Sequence, residues 1–232
     1  MRNFLILLSL SLLTIVSCTD LNEMHQPYLD RGETIYTEKP SALTSFPGHE
    51  RVGLAWIMLS DVSVTGARIY WNNGQDSTDV AFTVTSGVLD TIAAIIPNID
   101  EGSYIFNVKT MDDYGNMSVP VQVAGTAYGD LYIAGILSNN RGIASYELET
   151  DTLVFTMETV DYDDYFDSEL KYTNNSGNEQ TTVLTDEAKT EFEISLDDID
   201  ITQPIYYRSI YRPEDAIDVF YTDYELYDEE IN

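Results

Sequence analysis

From residue 34 onward the chain alternates apolar and polar side chains with a period of two, interrupted by short clusters of Gly, Asn, Asp and Pro. A period of two puts successive side chains on opposite faces of a strand, so each run predicts a half-buried β-strand. RVGLAWIML (51–59) sets Val52, Leu54, Trp56 and Met58 on one face. ARIYW (67–71) is aromatic and β-branched and is broken by the turn residues NNGQDS (72–77). VAFTV (80–84) follows, then TIAAIIPNI (91–99), which leads into a turn at Glu101-Gly102. SYIFNVKTM (103–111) alternates Tyr104, Phe106 and Val108, DDYGN (112–116) turns, and VPVQVAG (119–125) closes the set. Six or seven short strands are thus expected in about 90 residues, and no 12-residue stretch carries a helical period.

The second half repeats this order. TLVFTMETV (152–160) answers RVGLAWIML, and ELKYTNNSGNE (169–179) answers ARIYWNNGQDS with Asn-Asn-Ser-Gly where Asn-Asn-Gly stood. TTVLT (181–185) answers VAFTV, EFEISL (191–196) answers TIAAII, and IYYRSIY (205–211) answers SYIFNVK. DVFYTDYEL (218–226) ends the copy. The expected fold is therefore all-β, two tandem sandwiches, each with one buried and one solvated face per sheet. The expected units are 34–128 and 129–232, meeting where Gly125, Gly129 and Gly135 cluster.

The first 33 residues read differently. Arg2 precedes an apolar run, FLILLSLSLLTIV (4–16), which is too short to cross a hydrocarbon core of about 20 helical residues and ends at Cys18. Ile15, Val16 and Ser17 resemble a lipobox, so residues 1–17 are expected to be a lipoprotein signal peptide and Cys18 the acylated N-terminus. More than one acyl chain anchors stably where a single chain does not. Residues 18–33 then supply the lipidated cysteine and a tether containing Pro27 and Gly32. Asp20 and Glu23 resemble the acidic signal that exports some Gram-negative lipoproteins to the cell surface. The expected address is the outer membrane, facing outward. Cys18 is the chain's one cysteine, so no disulfide or thiolate metal site is available to the folded part.

Charge narrows the partners. The chain carries 40 acidic and 11 basic side chains, a net of −29. The excess is uneven: residues 147–232 hold 25 of the acids against four basic residues. Such a field repels nucleic acid, which is excluded as a partner. With 44% hydrophobic and 12% aromatic residues the body can still build real cores, so disorder is rejected.

The segment IIPNIDEGSYIFNVKTMDDYGNMSVP (95–120) resembles a fibronectin type III module. Pro97 and Tyr104 stand at its structural corner, Asp113, Gly115 and Asn116 in its turn, and Trp56 matches the core tryptophan of the second strand. In the second copy Tyr206 or Tyr207 would take the corner position, without the proline. The mature chain is also similar to a family of uncharacterised surface lipoproteins of Gram-negative gut anaerobes, often encoded near glycan-uptake systems. The segments that carry this are GETIYTEKP (32–40), RVGLAWIMLSD (51–61), IYWNNGQDS (69–77), AYGDLY (127–132) and YRPEDAIDVFYT (211–222). That resemblance implies a location and a general role, with no activity to carry over.

Candidate chemistry is thin. His25 and His49 lack partners at metal-ligand or catalytic spacing, and no nucleophile elbow is present. The densest acidic stretch is DYDDYFDSE (161–169). Asp161, Asp163 and Asp167 are the candidate ligands should a calcium ion bind, since calcium takes six to eight oxygens, although the spacing is not that of an EF-hand. Tyr162, Tyr165 and Phe166, with Asp164, are the candidate glycan contacts, because sugars stack on rings and bond to carboxylates. No other cofactor is indicated. In YRPEDAIDVFY (211–221), Arg212 is expected to pair locally with Glu214, Asp215 or Asp218. The expected protein is a non-catalytic binding or spacer lipoprotein held at the membrane through acyl chains, assisting glycan capture or a nutrient-uptake complex. The alternative is a structural or adhesion lipoprotein contacting an outer-membrane protein, with a glycan-active enzyme the least favoured reading.

Overall fold

Alternation resolves into two sandwiches in a computed structural model, which describes residues 35–137, 143–149, 151–157, 163–183 and 191–227. The first has seven strands: β1 (Ser41–His49), β2 (Arg51–Met58), β3 (Val64–Trp71), β4 (Asp76–Ala81), β5 (Asp90–Pro97), β6 (Gly102–Asp112) and β7 (Val121–Tyr128). They hydrogen-bond in the order β4-β3-β6-β7-β1-β2-β5. Strand β1 switches partners along its length: Thr44–Gly48 run antiparallel to β2, while Gly48 and His49 run parallel to β7. It thereby joins a β1-β2-β5 layer to a β7-β6-β3-β4 layer. Val52, Leu54, Trp56 and Met58 from the first layer meet Ala67, Ile69, Phe106 and Val108 from the second in one buried cluster. The β3–β4 hairpin turns on Asn72, Asn73 and Gly74, all at positive φ, which is why asparagine and glycine stand there.

The second sandwich contains β8 (Ile143–Glu149), β9 (Thr152–Met157), β10 (Tyr165–Thr173), β11 (Glu179–Val183), β12 (Glu191–Ser195), β13 (Ile205–Tyr211), β14 (Phe220–Tyr221) and β15 (Glu225–Tyr227). One sheet is ordered β12-β9-β8; the other is β11-β10-β13-β14, with β15 also pairing with β13. Leu153, Phe155 and Ile194 face Leu170 and Ile205 across the layers. Apart from the divided last strand, this is the strand order of the first sandwich, as the internal repeat requires. The break in the last strand lies at Thr222, whose Oγ1 accepts from Ser209 N–H at 2.9 Å.

Two elements depart from the sequence reading. Between the sandwiches stands a helix, α1 (Asp130–Leu137), where glycines suggested a plain boundary. Strand β1 had no clean alternation because it leaves one sheet for the other; its burial changes pattern midway. Tyr104 donates its hydroxyl to the Asp100 carbonyl oxygen at 2.7 Å, tying the start of β6 to the preceding loop. In the second half Tyr207 donates instead to the Glu225 carboxylate at 2.9 Å, on the neighbouring strand.

Candidate functional site

Chain connectivity brings the end of the first sandwich against the start of α1 and the 212–219 loop. Glu101 caps α1: its carboxylate accepts from Leu131 N–H at 2.7 Å and from Tyr132 N–H at 2.8 Å. A helix N-terminus has unsatisfied N–H groups and favours negative charge, so one side chain from 30 residues upstream fixes the helix. Gly129 keeps this approach open, because a Cβ there would lie 3.1 Å from both Glu101 Cβ and Oε2. The helix then lays Tyr132 against Tyr128 with centroids 4.5 Å apart, and Phe220 meets both rings edge-on. Ile136, Tyr211 and Phe220 are buried at the centre of this cluster, with Tyr165 on its margin.

A second contact sits beside it. Ile217 N–H donates to the Pro47 carbonyl at 2.8 Å. The Asp218 carboxylate accepts from His49 N–H at 2.8 Å, from Arg51 Nε at 2.8 Å, and through a short bond from Arg51 Nη2. The Arg51 guanidinium, with burial opposing, holds the Asp218 carboxyl below the usual carboxylate range, and Asp218 in turn raises Arg51. The expectation of a local Arg212 ion pair with Asp218 is therefore corrected. Asp218 bonds to a cation 167 residues away, and the Arg212 guanidinium instead lies 4.2 Å over the Phe166 ring.

The acidic and aromatic loop divides among several environments. Asp164 accepts the Tyr132 hydroxyl at 2.9 Å, and its carbonyl accepts Arg212 N–H at 2.7 Å. Tyr165 packs edge-on to Tyr211 and shares a hydrogen with Ser168 Oγ at 2.7 Å. Asp163 lies exposed in a turn, whereas Asp167 is buried and accepts from Ser168 N–H at 2.7 Å. Cys18, Asp161 and Tyr162 lie outside the described residues. Among the described residues no three His, Cys, Asp or Glu side chains form a group able to hold a metal ion. Pro97 ends β5 opposite Arg51, and burial, ahead of Asp100 and Asp76, raises the pKa of Tyr104.

A face that the sequence did not single out lies on the outside of the β10-β13 sheet. The register sets Glu169 opposite Arg208 and Lys171 opposite Tyr206. Tyr224, from the break in the last strand, reaches over them. Lys171 Nζ lies 5.1 Å from the Tyr206 centroid and 4.1 Å from that of Tyr224. The Arg208 guanidinium lies 4.1 Å from Tyr221 and 4.5 Å from Tyr224. Glu169 bonds Arg208 Nε at 2.8 Å and accepts the Tyr224 hydroxyl. Burial, then Glu169, pushes Tyr224 up to about 12. Three tyrosines and two of the half's four cations thus share one sheet face. The strand alternation in IYYRSIY and ELKYT carried half of this signal; the pairing of the two strands did not follow from it.

Shallow grooves also lie among the described residues. One of about 240 Å³ is lined by Tyr172, Gln180, Glu193 and Asp198, and one of about 270 Å³ by Ser45, Ser103, Glu214 and Asp215. Among the described residues the carboxyls held low by hydrogen bonds are Asp61 (by Ser63), Asp79 (by Arg68), Asp112 (by Asn116), Asp200 (by Thr202) and Asp218, and none of them lines either of these grooves.

Residues 18–220 match a family described as a domain of unknown function, DUF4998. The chain belongs to this family. A stretch of 95 residues is also 33% identical to the bifunctional aspartokinase/homoserine dehydrogenase of Buchnera aphidicola (strain APS), taking in 41% of this chain and 11% of that protein. Among solved structures, the FN1-FN3 domains of chicken CNTN1 align over 83% of this chain and 66% of theirs, at 10% identity and a TM-score of 0.41. A two-domain fibronectin type III segment of chicken tenascin covers 82% of this chain and 97% of its own at 13% identity, TM-score 0.31. The chicken interferon gamma receptor alpha chain covers 82% and 97% at 10% identity, TM-score 0.32.

Proposed function

We propose that this family member is a non-catalytic, lipid-anchored binding module of the outer membrane, facing the exterior, that presents the outer face of its second sandwich to glycans. The observation that carries the reading is the group of Tyr206, Tyr221 and Tyr224 around Lys171 and Arg208. Flat rings offer stacking surface for sugar faces, and the charged groups between them offer hydrogen bonds that orient hydroxyls. Tyr221 is 40% exposed, so at least one ring reaches solvent. The contacts between sandwiches, through Asp218 and the Tyr132–Phe220 cluster, suit a spacer that holds this face away from the anchor. The glycan-uptake setting is part of the same proposal.

A second reading has its own support. Strand β5 ends its sheet and carries no charge between Thr91 and Pro97, with Ile95 exposed. An uncharged edge accepts an added strand from another protein. The test is affinity electrophoresis of residues 19–232 in gels containing neutral and acidic polysaccharides. Retardation by a polysaccharide, lost in Tyr221→Ala and Tyr206→Ala, is expected; no retardation by any of them, or equal retardation of the variants, refutes the glycan reading. Palmitate labelling of the Cys18→Ala variant tests the anchor, and retained label would refute it.

A further inference from the structure

The end of the first sandwich where the chain enters the fold gathers several exposed apolar side chains. Glu38, in the entering segment, accepts from Leu59 N–H at 2.9 Å, Ser60 N–H at 3.3 Å and Asp61 N–H at 2.9 Å. Thr37 Oγ1 lies 2.9 Å from Thr110 Oγ1 near the end of β6. The β4–β5 loop arrives at Asp90, the partner of Met58, and the β6–β7 turn starts at Asp112, the partner of Val64. Four segments therefore share one pole. Their tips carry Tyr36, Leu59, Val62, Val88, Leu89 and Tyr114, exposed by 63%, 50%, 58%, 51%, 65% and 90%.

The acids of this pole turn back onto its backbone. Asp61 accepts from Ser63 N–H and Oγ, Asp90 from Thr85 N–H, and Asp112 from Tyr114 and Asn116 N–H. The carboxylates hold the loops while aliphatic and aromatic tips face outward. By contrast the β10–β11 turn at the far pole of the second sandwich, Asn174–Asn178, is polar. Exposed apolar groups gathered on one end mark an interaction surface.

We infer that this pole seats against the lipid surface that holds Cys18. The inference rests on the lipoprotein reading above. Residue 35 enters the fold at this pole, so residues 19–34 are all the chain that separates it from the anchor. Fully extended they span roughly 50 Å, which permits contact without enforcing it. Tethering makes the contact intramolecular, so a patch too small to bind lipid from solution is held there by effective concentration. Tyrosines suit the water–headgroup boundary, and aliphatic tips enter just below it. A chain of net charge −29 gains nothing from anionic headgroups, so the apolar tips rather than charge carry the contact, and zwitterionic lipid isolates that term.

The test uses the full lipidated chain in phosphatidylcholine vesicles. An acylated Cys18 leaves no other thiol in the chain, so Val62→Cys, Leu89→Cys and the distal control Ser176→Cys each take one fluorophore. Spin-labelled lipid should quench the probes at 62 and 89 and leave the probe at 176 bright. Val88→Asp combined with the probe at 62 should abolish that quenching while the melting temperature holds, because Val88 is on the surface. No quenching at 62 and 89, or equal quenching at all three sites, overturns the seating. Mass spectrometry of the mature N-terminus separates the two readings. Missing acyl chains overturn the anchor and the seating together, whereas acylation without quenching overturns the seating by itself. A probe at 89 that becomes shielded as protein concentration rises, without lipid quenching, means a second copy covers the pole and also overturns it.

Discussion

Gly48→Ala should open the contact between the sandwiches without harming either core. Gly48 has an ordinary backbone conformation, so the added methyl acts through space rather than through strain. Its Cβ would lie 2.7 Å from Asp218 Oδ2, 2.9 Å from Arg51 Cγ and 2.9 Å from Ile217 Cγ1. Forcing a methyl into a filled space costs about 1–3 kcal/mol, and the movable neighbour is the Asp218 carboxylate. Displacing that carboxylate forfeits what Asp218 contributes. Hydrogen bonds to a charged group contribute about 1.5–3 kcal/mol when desolvated. The Arg51 side chain is 40% exposed and that of Asp218 18%, and screening brings the figure to about 1–2 kcal/mol. Hydrogen exchange reads this locally. The amide of His49 is held by Asp218 and that of Ile217 by Pro47. Both should exchange roughly 5–30 times faster in the variant, since about 1.4 kcal/mol is a factor of ten. Amides of Leu54 and Phe106, inside the first sandwich, should not change. In an Asp218→Ala background the same Gly48→Ala change should have a smaller further effect, because its tightest contact is gone while those to Arg51 Cγ and Ile217 Cγ1 remain. Equal acceleration in both backgrounds, or acceleration spread over β2 and β6, refutes the reasoning.

Tyr104→Phe removes the hydroxyl bonded to Asp100 and should destabilise the first sandwich by about 0.5–1.5 kcal/mol in urea denaturation, with the second sandwich unaffected. Trp56 Nε1 is buried with no hydrogen-bond partner, so Trp56→Phe relieves an unsatisfied donor while losing volume. It should cost less than Leu54→Ala at about 2–5 kcal/mol, a comparison that calorimetry decides. Asp218 has a depressed pKa in the folded chain, so its contribution is fully present above the unfolded carboxylate value of about 4 and is lost as pH falls through the folded value. Asp218→Asn should therefore weaken the chain at pH 7 and flatten the loss of stability below pH about 4; an unchanged acid limb would rule this out.

Much of the architecture was written in local chemistry. The period-two runs gave the strands because side chains on a pleated strand alternate faces whatever lies beyond them. Asn-Asn-Gly marked the β3–β4 turn because those residues tolerate positive φ, and the same signal at Asn174–Gly177 revealed the repeat. Tyr104 was recognisable because its partner is only four residues away.

The candidate surfaces were less legible, because their members are distant in sequence. Helix α1 has eight residues, and the carboxylate that caps it comes from Glu101, so no local period or capping box announces it. Asp218 looked like the partner of nearby Arg212, yet the folded chain places Arg51 beside it. Tyr165 and Asp164 looked free for a ligand, but tertiary packing engages both at the contact between sandwiches.

The sequence by itself determined the strands, their turns, the duplication, the acidic charge and the apolar run before Cys18, since each depends on neighbours along the chain. Only the tertiary structure decided which strand ends meet. Strand pairing set Lys171 and Arg208 among three tyrosines, and sheet closure gathered the apolar tips of four segments at the pole where residue 35 enters the fold. Those surfaces are made by register and layer packing, which no single segment encodes.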